Sequence, residues 1–136
     1  MLHHISIGVR DLSQSTKFYD SVLSVLGYRR YMSKPGTESW KKSENGIAFW
    51  INQRANLSVV EDSGNHIAFQ ANSCLEVDDF HSRAIKAGAS DDGSPGFRPE
   101  YKDTYYAAFI CDLDGHKLEA VHILSLIHIS EPTRPY

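Results

Sequence analysis

The chain of 136 residues repeats its own pattern once. His4-Ile5-Ser6-Ile7-Gly8-Val9 alternates apolar residues with small or polar ones, and His66-Ile67-Ala68-Phe69-Gln70-Ala71 does so again half a chain later. Strict alternation is the mark of a strand with one buried face. Each strand leads into a stretch of helical spacing. Residues 14–26 carry Phe18, Tyr19, Val22, Leu23, Val25 and Leu26 behind a cap at Asp11 or Ser13, and Gly27 stops them. Leu75 to Ala87 carries Val77, Phe80, Ala84 and Ile85, and Gly88 stops it.

Further strands follow each helix. In the first half they are Tyr28 to Met32, Ser39 to Lys42 and Ile47 to Ile51, divided by Lys34-Pro35-Gly36 and Asn45-Gly46 turns. In the second half a Gly/Pro/Asp-rich loop is expected from Ser90 to Lys102. Strands Tyr105 to Cys111 and His116 to Val121 then flank an Asp114-Gly115 turn. Two copies of this order predict an α+β fold of two βαβββ modules, about 1–60 and 64–123, within one domain spanning 1–123. The expected architecture is a curved mixed or antiparallel sheet, helix-covered on one side and open as a cavity on the other. Modules this small bury too little surface to stand alone, so they must share an interface within or between chains.

Composition narrows the function classes. Apolar residues make up 41% and charged residues 23%, which suits a soluble globule. The net charge is -3 and the basic residues are scattered, so nothing points to nucleic acid. No apolar run is long enough for a signal peptide or a membrane span, and a cytoplasmic protein is expected. Cys74 and Cys111 lack metal-ligand spacing and read as two reduced thiols. Residues 124–136 continue no pattern and resemble translated vector or adapter read-through. They are set aside as a non-native tail, His128 with them.

Alternation also assigns faces. His4 shares parity with Ser6 and Gly8, opposite Ile5, Ile7 and Val9, so it belongs on the open side of its strand. His66 shares parity with Ala68 and Gln70, and Glu119 with Lys117 and Val121. Two imidazoles and a carboxylate on rigid strands are a donor set for a divalent ion with positions left open for substrate. The other reading makes both histidines hydrogen-bonded pocket or core residues, with Glu119 at a strand edge. Arg98, Tyr101, Tyr105 and Tyr106 gather around the Gly/Pro-rich loop, where a cation and phenols could meet a small oxygen-rich substrate. Trp50 would be an aromatic wall. Ordinary sheet packing explains each of these equally well.

In this order and spacing, His4 through Asp11-Leu12, Phe18-Tyr19, Leu26-Gly27, His66-Ile67-Ala68-Phe69 and Asp112-Leu113-Asp114-Gly115-His116-Lys117-Leu118-Glu119 resemble the vicinal oxygen chelate superfamily. That superfamily includes glyoxalase I, fosfomycin-resistance proteins, bleomycin-binding proteins and extradiol dioxygenases. The resemblance covers residues 2–123. It extends to a glyoxalase-like subgroup through Gly96-Phe97-Arg98-Pro99-Glu100-Tyr101 followed by Tyr105-Tyr106. It implies a glyoxalase-like fold, metal ligands His4, His66 and Glu119, and a homodimer sharing its sites between chains. Trp50 stands where bacterial glyoxalase I has a fourth, carboxylate ligand, and indole cannot replace it.

The expectation is therefore an enzyme dependent on a divalent metal (Zn, Fe, Mn or Ni) that polarises a small vicinal-oxygen substrate, with lyase or isomerase chemistry favoured. The alternatives are a metal-free protein of the same fold that binds or sequesters a small molecule, and a ring-cleaving dioxygenase.

Overall fold

A computed structural model describes residues 1–60 and 62–125, so His128 and most of the suspected tail lie outside the described residues. The element order is β1 (His4–Val9), α1 (Leu12–Ser24), β2 (Arg29–Lys34), β3 (Thr37–Lys41), β4 (Ala48–Gln53), β5 (Ile67–Gln70), α2 (Cys74–Lys86), β6 (Ser90–Phe97), β7 (Tyr105–Cys111) and β8 (Lys117–Ile123). Both helices start on a side-chain cap. Asp11 accepts from the Gln14 backbone N–H at 3.1 Å. Ser73 Oγ accepts from the Glu76 N–H at 3.1 Å, while Glu76 reaches back to the Asn72 N–H at 2.9 Å. Gly27 (φ +88°) and Gly88 (φ +108°) end the helical segments in a backbone region where a Cβ is strained.

The repeat produces two separate sheets, not the continuous curved one expected. Their strand orders are β1-β4-β3-β2 and β5-β8-β7-β6. β1 runs parallel to β4 and β5 parallel to β8, while the remaining neighbours are antiparallel. Each module therefore completes its own mixed ladder by laying its last strand beside its first, and no strand pair joins the two ladders among the described residues. Alternation along a strand identifies its faces but says nothing about its neighbours.

The second difference is β6, which occupies much of the expected loop. Its register against β7 shifts between Asp91 and Gly93 and again between Gly93 and Gly96. Bulges at glycine let a strand form where the composition reads as a turn.

One core unites the modules. Phe18, Tyr19, Leu23, Trp40 and Phe49 from the first half are buried with Phe69, Val77, Phe80, Ile110 and Leu118 from the second. The Phe49 and Phe69 rings meet edge to face at 5.4 Å between centroids. Polar groups reinforce this joint through the β7–β8 turn. Arg10 pairs with Asp114 at 3.2 Å, and His116 Nε2 lies 2.7 Å from the Gly8 carbonyl oxygen. The Tyr19 hydroxyl donates to the buried Asp112 carboxylate, which also accepts the backbone N–H groups of Asp114 and His116. Burial, with Asp112 beside it, drives the Tyr19 pKa well above its ordinary value. Asp112 is raised too, chiefly by burial, against the lowering effect of those hydrogen bonds. No helix among the described residues is long and apolar enough to cross a membrane.

Candidate functional site

Each sheet buries one face against the helices and leaves the other open. On the second sheet, register pairs Ala68 with Glu119 and Phe109 with Glu119, so the even side chains of β5 share one face with the odd side chains of β8 and β7. Glu119 is 2% exposed at its centre. One carboxylate oxygen lies 3.1 Å from His66 Nε2, and the other accepts the Tyr105 hydroxyl. Burial, and then the adjacent Glu119, push the Tyr105 pKa up to about 12.

Around this trio the face is aromatic and cationic. Phe109 has the Arg98 guanidinium 5.6 Å from its ring centroid, Lys117 Nζ at 5.3 Å and the His66 ring at 6.3 Å. Tyr101 packs edge to face on Tyr105 at 5.1 Å. Lys117 also pairs with Asp92 at 3.2 Å. His66 and Lys117 reach the rim of a half-open cleft of about 1210 Å³ between the linker and the β7–β8 turn.

The residues expected to hold substrate divide among three places. Tyr101 and Tyr105 belong to this open face. Arg98 lies over Phe109, with its guanidinium engaged by the carbonyls of Gly96 at 2.9 Å and Ser94 at 2.8 Å, so it braces the β6 bulges. Tyr106 lies on the opposite, helix-facing side, donating to Asp78 at 2.6 Å and meeting Phe97 edge to face. That hydrogen bond is the main reason its pKa rises to about 12. Trp50 stands on the first sheet, with His4 edge-on to its ring at 6.4 Å.

The expected metal centre does not assemble within the chain. His4 belongs to the first sheet and its Nδ1 lies 3.0 Å from His3 Nδ1, while His66 and Glu119 pair on the second. Among the described residues no group of three or more His, Cys, Asp or Glu side chains is placed to hold an ion. Within one chain, His66 and Glu119 therefore lack the third donor that the expected centre needs. The expectation of a metal-dependent lyase or isomerase is corrected accordingly. The reason is topological: parallel closure inside each module puts β1 and β5 in different sheets, and their histidines with them.

Phe109 and Lys117 escaped the sequence reading. Counting outward from a two-residue Asp114-Gly115 turn would pair Phe109 with Ala120, one position away from its actual partner Glu119. Lys117 has the parity of Glu119 but looks like any surface lysine.

The comparisons agree with this architecture. A family model described as Glyoxalase/Bleomycin resistance protein/Dioxygenase superfamily matches residues 1–120. The Bacillus subtilis (strain 168) protein YqjT, itself uncharacterised, is 30% identical over 88% of this chain and 97% of its own length. A glyoxalase/bleomycin resistance protein from Albidiferax ferrireducens T118 superposes with a TM-score of 0.79 at 31% identity, over 90% of this chain and 98% of that one. The fosfomycin resistance protein FosX of Mesorhizobium loti shares the fold at a TM-score of 0.67 and 22% identity, over 95% of both chains.

Proposed function

Because the chain belongs to the Glyoxalase/Bleomycin resistance protein/Dioxygenase superfamily, we propose that it uses that fold to bind or sequester a small molecule without a metal ion. The observation behind this reading is the state of Glu119. Its two oxygens are held by His66 and Tyr105 at the floor of an open face, which makes it part of a fixed hydrogen-bonding array. A buried carboxylate held in this way orients its partners and fixes the array. Phe109 offers the apolar contact, while Lys117 and the part-exposed His66 ring offer polar contacts at the edge. An apolar ring with a few convergent polar groups around it is an arrangement that can orient a small molecule.

Thermal unfolding of the protein against a panel of small planar and oxygen-rich compounds tests the reading. A ligand is expected to raise the midpoint equally before and after EDTA treatment, by mass action on the folded state. The rise is expected to disappear in Phe109→Ala and to persist in His4→Ala. A rise that occurs only when a divalent metal is restored would overturn the proposal.

A further inference from the structure

The Phe109 ring is 9% exposed, with the Arg98 guanidinium and the Lys117 ammonium standing over it. Both of these cations are fastened to β6. Arg98 grips the Ser94 and Gly96 carbonyls, and Lys117 pairs with Asp92. The β6 backbone also meets the ring itself, since a Cβ built at Gly93 would lie 3.1 Å from Phe109 Cδ1 and 3.3 Å from an Arg98 guanidinium nitrogen. The course of β6 therefore decides how the ring and its two cations are presented.

β6 is an edge strand, and its ladder is broken at this point. Asp91 is paired with Ile110 and Gly93 with Phe109, so Asp92 is the extra residue of the bulge. Gly93 sits at φ +153°, a backbone that L side chains rarely adopt. Asp91 anchors this bend from the helix-facing side. Its Oδ1 accepts the Gly93 N–H at 3.1 Å and lies 2.7 Å from Nε2 of His81 on α2. The His81 side chain is 14% exposed, so its ring is held among packed neighbours. The His81 hydrogen bond, and then the Gly93 N–H, keep the Asp91 carboxyl below its ordinary pKa. One carboxylate oxygen thus ties the helix to the bend of the strand.

A binding face keeps its affinity when the side chains around it are already ordered. A long cation left free must be ordered each time a ligand arrives, which weakens binding. Support from behind the contacting residues is what prevents this. We propose that His81 and Asp91 are positioning residues for the open face of the second sheet, resting on the reading above that Phe109 meets the ligand. They act through the bulge: the clasp seats Gly93 against the Phe109 ring and keeps Asp92 turned to Lys117. Neither residue touches the ligand.

The test labels the full chain with 4-fluorophenylalanine and identifies the Phe109 fluorine line by its loss in Phe109→Leu. That line is expected to shift in His81→Leu and in Asp91→Ala. It is expected to return in His81→Gln, whose side-chain amide can still donate to Asp91. Gly93→Ala is expected to move it with the clasp intact. Calorimetry with 2-naphthol as the probe is expected to show binding about fivefold weaker in His81→Leu and normal in His81→Gln. A line that stays in place in His81→Leu and Asp91→Ala would overturn the clasp, as would His81→Gln behaving like His81→Leu. Equal naphthol affinity in His81→Leu and the unaltered protein would overturn the positioning role. Absence of naphthol binding to the unaltered protein would instead count against the function proposed above, while a shifted and rescued line would still assign the Phe109 geometry to the clasp.

Discussion

The hydroxyl of Thr104 is buried with no hydrogen-bond partner among the described residues, at the start of a strand whose next residue, Tyr105, is bonded to Glu119. Valine keeps the shape and removes the unmet polar group. Thr104→Val is therefore expected to leave stability unchanged or raise it by up to about 1 kcal/mol, read from the urea midpoint. A clear loss would show that the hydroxyl has a partner. Residues like this cannot be recognised in a sequence, because satisfaction is a property of neighbours. Glu119 shows the dividing line. Its open-face parity is readable from Leu118 and Ala120 on either side. That its oxygens engage His66 and Tyr105, leaving His4 on another sheet, depends on which strands pair.

At the level of elements, local chemistry is most legible where it acts over a few residues. Ser73 and Glu76 cap α2 through contacts three and four positions apart. Ser73→Ala is expected to cost about 1 kcal/mol in chemical unfolding, with little change in the m-value. An unchanged midpoint would mean that α2 draws its stability from packing alone. β6 marks the other limit. A segment reading Ser90-Asp91-Asp92-Gly93-Ser94-Pro95-Gly96-Phe97 has the composition of a loop, yet β7 imposes strand pairing on it at the cost of two register shifts. Arg98 then fastens the bulges through the Ser94 and Gly96 carbonyls, a role invisible without the neighbouring strand.

Across the whole molecule, four phenols share one direction of shift. Tyr19, Tyr28, Tyr105 and Tyr106 all titrate above the ordinary tyrosine value in the folded chain, the last two at about 12. The folded state then keeps protons that the unfolded state releases once the pH passes about 10. The stability they contribute is complete below that point and falls as the pH climbs toward 12. Urea midpoints measured from pH 8 to 11.5 are expected to drop over the upper part of that range, and less steeply in a Tyr105→Phe/Tyr106→Phe variant. A flat profile would mean that these hydroxyls are freely solvated. The bond between Tyr19 and Asp112 has one more consequence, and it concerns the order of synthesis. The two residues are 93 positions apart, so the phenol is made long before the carboxylate that satisfies it. A nascent chain that has emerged only through Gln53 can pair β1 with β4, but its aromatic core still lacks Phe69, Phe80 and Leu118. Until the second half is made, the apolar side of the first lacks its cover, and the β7–β8 turn carries the carboxylate that completes the Tyr19 bond.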